Sequence, residues 1–301
     1  MSGNVSWTIA TAVAHDRAGH DESSVVTFAS RTLRVMAAVA ILCAVSVSPV
    51  LAQNLFYTTS GFGAKLFAIN VSGSKITTAG AALPTGGGNC LSLALSPSGT
   101  LYSMCGPLFG PPGQQLATID PKTGAATLFG GYVSDLAVMA IAFAPNGILY
   151  AIGDCHPVSS ECTPAGAANY NSLYKVDKDT GVFTRIGPTG APQFFMDLAF
   201  DRHGNLFGVT TTLSPSYVPA ILYGINTSTG KATKIVNLVG NTQIMGLAFG
   251  RDGELYATDF GMNPGLYEID VKTGFETAIA ALPFGFSSGL ELANPAEHET
   301  D

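Results

Sequence analysis

The chain is predicted to be all-β, a β-propeller of five four-stranded blades closed by pairing of its terminal strands. Three observations carry that expectation: a phrase repeated five times, a two-residue hydrophobic period inside each repeat, and chain ends that complete one another. Between Leu55 and Asn294 each repeat runs from an apolar strand through a turn ending in Gly to a second strand opening Leu-Tyr or Leu-Phe. A third strand follows, closed by Asp or Asn before a Thr-Gly or Ser-Gly turn. MGLAFGRDGELYATDF from Met245 is the clearest copy, and MDLAFDRHGNLFGVT from Met196 repeats it. The turn glycines Gly99, Gly147, Gly204 and Gly253 are 48, 57 and 49 residues apart, a blade period rather than that of a helical solenoid. Six blades is the alternative if one degenerate repeat is hidden.

Within each repeat, large apolar residues alternate with small ones, as in Leu91, Leu93, Leu95 and Met139, Ile141, Phe143, which is the period of a strand. The interleaved columns read Ser92, Ala140, Asp197, Gly246, Gly289 and then Ala94, Ala142, Ala199, Ala248, Glu291. One face of each innermost strand is therefore nearly bare, so neighbouring blades can nest closely. Asn70, Asp120, Asp177, Asn226 and Asp270 recur at one position, where their side chains suit an Asx-type turn between third and fourth strands. Recurrence in every repeat speaks for a turn role over a catalytic one. At the ends, SSGLELANP supplies a first strand with no second behind it, and QNLFYTTSG reads as a second strand lacking a first. Joined in one sheet, they remove two exposed edges.

Ahead of the propeller, Arg31 and Arg34 precede the run VMAAVAILCAVSVSPVLA, and Val50-Leu51-Ala52 fits a small-residue cleavage site before Gln53. Residues 1–52 thus read as a leader with a Sec-type signal peptide, 53–294 as the propeller and 295–301 as a polar tail. An uncleaved anchor is the alternative reading of the apolar run. The first thirty residues are long for a signal-peptide n-region, which an upstream misassigned start would explain. The expected destination is secreted or periplasmic, with no membrane association after cleavage. Only 12% of residues are charged and the net charge is −7, without a basic stripe to follow phosphates, so nucleic acid is not an expected partner.

With Cys43 lost in the leader, four cysteines remain: Cys90, Cys105, Cys155 and Cys162. Ser96-Pro97-Ser98-Gly99 lies midway between Cys90 and Cys105, so an antiparallel hairpin sets them opposite each other for a cross-strand disulfide. Cys155 and Cys162 bracket HPVSSE and would staple that loop. Metal ligation is the alternative for these four, against which stand the oxidising compartment and the absence of a C-x-x-C spacing.

Catalytic signals are few. His156 and His203 are the only propeller histidines; His203 stands in a turn where other repeats carry Ser, Asn or Asp and reads as a solvated turn residue. No catalytic residue is assigned. The informative acids depart from the repeat: Asp197 in a column of Ser, Ala and Gly, Glu291 in a column of Ala, and Asp259 at the end of a second strand. Asp197 and Asp259 with Asp135 and Asp154 form a candidate ligand-binding set that would suit Ca²⁺, the alternative being that Asp197 and Asp259 bond loop amides and Glu291 sits on a relaxed closing strand. No other cofactor is expected. The loops 106–114, 154–171 and 212–220 vary in length and carry Pro and aromatics, offering Phe109, Tyr170 and Tyr217 as anchors for a protein, glycan or small molecule. Packing over the blade ends is the alternative for those three. The functional surface is accordingly expected on the rim of these long loops, in a monomer.

The phrase LAF-x-x-x-G-x-LY followed by LY-x-I-D-x-x-T-G resembles the repeats of secreted bacterial propellers related to the NHL, SMP-30/gluconolactonase and virginiamycin B lyase groups, over nearly all of Gln53 to Asn294. The resemblance identifies blades rather than chemistry. SMP-30-type lactonases are similar in gathering Glu, Asn and Asp around a channel metal, usually within six blades, and no residue here maps onto those ligand positions. The virginiamycin lyase pattern implies a channel His and Glu, whereas the propeller histidines lie outside the channel-facing columns. The expected function is an exported binding module; the alternative is a metal-assisted lactonase or lyase.

Overall fold

A computed structural model describes residues 54–60, 65–71, 75–78, 89–108, 111–155, 171–211, 219–240, 243–261, 264–285 and 287–293. Its strands are β1 (Leu55–Thr59), β2 (Leu66–Asn70), β3 (Lys75–Thr78), β4 (Asn89–Leu95), β5 (Leu101–Gly106), β6 (Gln114–Ile119), β7 (Ala126–Val133), β8 (Leu136–Phe143), β9 (Leu149–Cys155) and β10 (Ser172–Val176). They continue as β11 (Phe183–Pro188), β12 (Phe194–Phe200), β13 (Leu206–Thr211), β14 (Ile221–Ile225), β15 (Ala232–Asn237), β16 (Ile244–Phe249), β17 (Leu255–Asp259), β18 (Gly265–Ile269), β19 (Glu276–Ala281) and β20 (Ser288–Leu292). Five antiparallel four-stranded sheets result, ordered β20-β1-β2-β3, β4 to β7, β8 to β11, β12 to β15 and β16 to β19. The expected five-bladed propeller is what the chain forms.

Closure occurs as the terminal segments required. β20 pairs with β1, setting Leu292 opposite Phe56 and Leu290 opposite Thr58, and Leu290 packs in one buried cluster with Phe56, Tyr256 and Leu266. Side chains from the last blade reinforce the seam. Asn54 Oδ1 accepts from the Arg251 N–H at 2.8 Å, Asn54 Nδ2 donates to Asp252, and the Phe56 and Tyr256 rings lie 5.0 Å apart. A chain that meets itself in mid-blade thus ties its two ends by ladder bonds, apolar burial and polar contacts together.

The repeated turns explain themselves locally. Gly99, Gly147, Gly204 and Gly253 have φ between 82° and 88°, the left-handed region that the last residue of these tight turns must enter. Asp120, Asp177, Asn226 and Asp270 each accept from the N–H two residues on, at 2.8–2.9 Å, confirming the Asx turns. Those N–H bonds hold the Asp120, Asp177 and Asp270 carboxyls below the usual carboxylate range. Cys90 and Cys105 face each other in register and are joined as a disulfide. Cys162 lies outside the described residues, and with it the second expected pairing. Among the described residues no helix is long and apolar enough to cross a membrane.

Deleting residues 286–301 removes β20 and leaves β1 with an open edge and Phe56 without its cover. The unfolding midpoint should fall by roughly 10 °C or more, given about 2–4 °C per kcal/mol at this size. A melting curve that superimposes on that of the parent would refute closure as the main stabiliser of the ring.

Candidate functional site

In every blade the innermost strand pairs on one side only, so its other edge faces the axis of the ring. Each of these strands also carries a register shift at one level: between Cys90 and Leu93, Val138 and Ala140, Phe195 and Asp197, Ile244 and Gly246, and in β20 around Gly289. Met139, Met196 and Met245 occupy the extra position in three consecutive blades and pack into a common apolar cluster, where a flexible thioether suits an irregular gap. One level below comes the column of small residues. A Cβ on Gly246 would stand 2.9 Å from Leu290 Cβ, and one on Gly289 would stand 3.0 Å from Leu93 N, so glycine at these positions sets how closely the blades converge.

Asp197 is the exception in that column, and it is fully buried. Its Oδ1 accepts from Leu198 N–H at 2.9 Å, and its Oδ2 accepts from Leu247 N–H at 2.8 Å and Leu290 N–H at 3.1 Å. These three donors occupy equivalent places in three different blades. One carboxyl therefore satisfies three edge donors that the ring has taken out of water, a need the pairing strands cannot meet. Burial pushes Asp197 well above the ordinary carboxylate range despite the three N–H bonds, and nearby Glu291 acts in the same sense.

Glu291 repeats the arrangement one layer down. It accepts from Leu292 N–H at 2.9 Å and from the Leu95 N–H of the next blade, and burial raises it to about 7. Below it the axis opens into a cavity of about 740 Å³ on the rim of the short Gly turns. Its floor is a ring of equivalent residues, Leu95, Phe143, Phe200, Phe249 and Leu292. Its wall is uneven, with Pro97 and Pro145 on one side and the Arg202-His203 and Arg251-Asp252 turns on the other. Arg251 Nη2 donates to Ala293 O at 3.1 Å, and Arg202 Nε donates to His203 Nε2 at 3.2 Å. Asp201 and Asp252 are committed to their turns, the first to His203 and Asn205 and the second to Glu254 and Tyr256.

The other sequence-derived candidates lie towards the opposite rim. Asp259 accepts from Gly265 N–H and Asp154 from Asn171 N–H at 3.3 Å, so in two blades an acid at the end of the second strand braces the start of the third. Asp135 is exposed and lines a groove of about 460 Å³ with Tyr132, Tyr174 and Arg185. Burial raises the Tyr174 hydroxyl, and the charges of Asp135 and Asp154 push the same way against Arg185. The fold thus brings Asp135 and Asp154 to one blade and leaves Asp197 on the axis and Asp259 on another blade. Among the described residues no three His, Cys, Asp or Glu side chains gather closely enough to hold a metal ion. Phe109, Tyr170 and Tyr217 lie outside the described residues. Sequence reasoning passed over Arg202, Arg251 and the Phe143-Phe200-Phe249 column; the signal was an aromatic column ending where Glu291 breaks the Ala column.

Fold and site together define a five-bladed β-propeller whose axis is occupied by side chains at its middle and open as a blind pocket at one end. No protein-family model matches the chain, and no curated protein matches it in sequence. Solved structures align with it. A protein of unknown function from Bacteroides thetaiotaomicron aligns with a TM-score of 0.50 at 16% identity, over 79% of this chain and 64% of that one. A gluconolactonase from Xanthomonas campestris aligns at 0.48 with 14% identity, over 79% and 80%, and virginiamycin B lyase from Staphylococcus aureus at 0.40 with 16% identity, over 78% and 72%.

Replacing Asp197 with Ala strands three buried donors. The expected loss is about 3 kcal/mol or more, hence roughly 6–12 °C in melting temperature. Loss under about 2 °C would show that the carboxyl is dispensable. For Glu291 the sign is set by its raised folded-state pKa: between about 4.5 and about 7 the folded protein holds a proton the unfolded chain has released. Stability contributed by that protonation is full at low pH and is lost as pH rises through about 7. Glu291→Gln should therefore gain melting temperature relative to the parent on going from about pH 5 to about pH 8, and a difference that stays constant across that range would contradict the assignment.

Proposed function

We propose that the chain is an exported ligand-binding propeller whose binding site is the blind pocket on the short-turn rim. The observation that supports this most directly is the pocket's construction: an apolar floor repeated from blade to blade, a floor-level acid and, among the described residues, charged side chains on one wall. Concave, mostly apolar sites with a few placed polar groups are what small molecules bind. The middle of the axis is taken up by Asp197 and by the methionine cluster, and the Asp197 oxygens are already engaged by main-chain donors. That favours capture at the mouth over chemistry deep in a channel. A second location has its own support, since the groove of Tyr132, Asp135 and Arg185 suits a glycan or protein partner. The metal-assisted lactonase or lyase alternative rests on the repeat resemblance.

A thermal-shift screen of the full chain with small organic acids, amides, lactones and glycans, each with Ca²⁺ and with chelator, separates these readings. Hits should disappear in Pro145→Trp, which fills the pocket mouth from an exposed turn, and persist in Tyr132→Ala. Hits that survive Pro145→Trp but vanish in Tyr132→Ala would move the site to the other groove, and chelator-sensitive lactone turnover would establish the enzyme instead.

A further inference from the structure

The axis treats carboxyl groups in a consistent way. In the turns below the inner strands, the N–H groups of Ala144, Asp201 and Gly250 bond to the carbonyls of Ile148, Asn205 and Glu254. By the alternation of an antiparallel ladder, the residues just before them, Phe143, Phe200 and Phe249, turn their N–H groups away from the partner strand and towards the axis. Leu247 obeys the same parity one layer higher, where its N–H reaches Asp197. At the Phe level Glu291 engages the donors of Leu95 and Leu292. The donors of Phe143, Phe200 and Phe249 face the pocket, and those of Phe200 and Phe249 stand two residues beyond Leu198 and Leu247, which hold Asp197 above.

The wall places two guanidinium groups, Arg202 and Arg251, among the carboxylates of Asp201, Asp252 and Glu254. Neither Arg202 nor Arg251 forms an ion pair with a carboxylate among the described residues. The Asp201 and Asp252 carboxylates accept from their own turns, Glu254 is exposed at the mouth, and among the described residues the β4–β5 and β8–β9 turns contribute the neutral Ser96, Pro97, Ala144 and Pro145.

We propose that this pocket binds a small organic acid with an aromatic or branched aliphatic body. Its carboxylate sits on the Phe143, Phe200 and Phe249 N–H groups beside Arg202 and Arg251, and its body lies against the phenyl ring of the floor. The proposal rests on the pocket being the binding site and adds the class of ligand. Glu291 then acts as a gate on affinity: protonated, it tolerates or donates to the incoming carboxylate, and ionised, it repels it. Burial, which raises it to about 7, puts the change near neutral pH.

Ligand-observed NMR titration of the full chain with benzoate and with its neutral isostere benzamide tests this. At about pH 6 benzoate should bind roughly tenfold or more tightly than benzamide, and that advantage should shrink about tenfold by pH 8, as expected for charge-assisted bonds meeting a new like charge. Glu291→Gln should keep benzoate binding and lose its pH dependence, while His203→Gln should retain it. The double variant Arg202→Gln, Arg251→Gln should weaken benzoate about tenfold and leave benzamide unchanged. Equal binding of both probes, abolished by Pro145→Trp, would overturn the carboxylate proposal and leave the pocket as the site. Benzoate binding that survives Pro145→Trp would overturn both, and failure of benzoate to bind at millimolar concentration would overturn the proposal.

Discussion

A propeller buries an unpaired strand edge at its centre once per blade, and satisfying those edges is the constraint on which the rest of this molecule depends. Five inner strands point main-chain donors at the axis, and no neighbouring strand is available to accept from them. Asp197 answers for three blades at one level and Glu291 for two at the next. Both carboxyls are pushed up by burial, so the cost of placing an acid there is visible in the same groups that relieve the donors.

The remaining features of the axis follow from how near the strands approach. Gly246 and Gly289 leave room for the neighbouring strand, and a register shift in every blade frees one residue per strand to fill the space above. Methionine takes that place in three blades, adapting to a gap without fivefold regularity. Below Glu291 the phenyl column widens the ring again. The two rims consequently differ in kind. One is made of short glycine turns around an axial depression; the other holds acids, Asp154 and Asp259, that brace the chain as it leaves the second strand.

Much of this was legible beforehand because repetition amplifies weak local signals. A single Gly turn or Asp-x-x-Thr-Gly segment says little; recurrence in successive repeats fixes strand order and turn chemistry and points to five blades, with six left open until the sheets are seen. The Cys90–Cys105 pairing was readable because a hairpin's register follows from its turn. Asp197 and Glu291 were recognisable as anomalies for the same reason. Their roles were not, since each bonds to N–H groups whose position in space depends on ring closure between residues over 200 apart, Phe56 and Leu292. His203 illustrates the converse: it is an exposed turn residue as expected, and the ring makes that turn one wall of a pocket.

The sequence by itself determined the blades, their hairpins and the composite closure, because strand period, turn residues and the matching of chain ends are local or pairwise properties. Only the tertiary structure decided where an acid would be buried and where a cavity would open. Those depend on five strand edges converging on one axis, where the sum of side-chain sizes around a level, rather than any one residue, sets whether the space is filled by Asp197 or left open below Glu291.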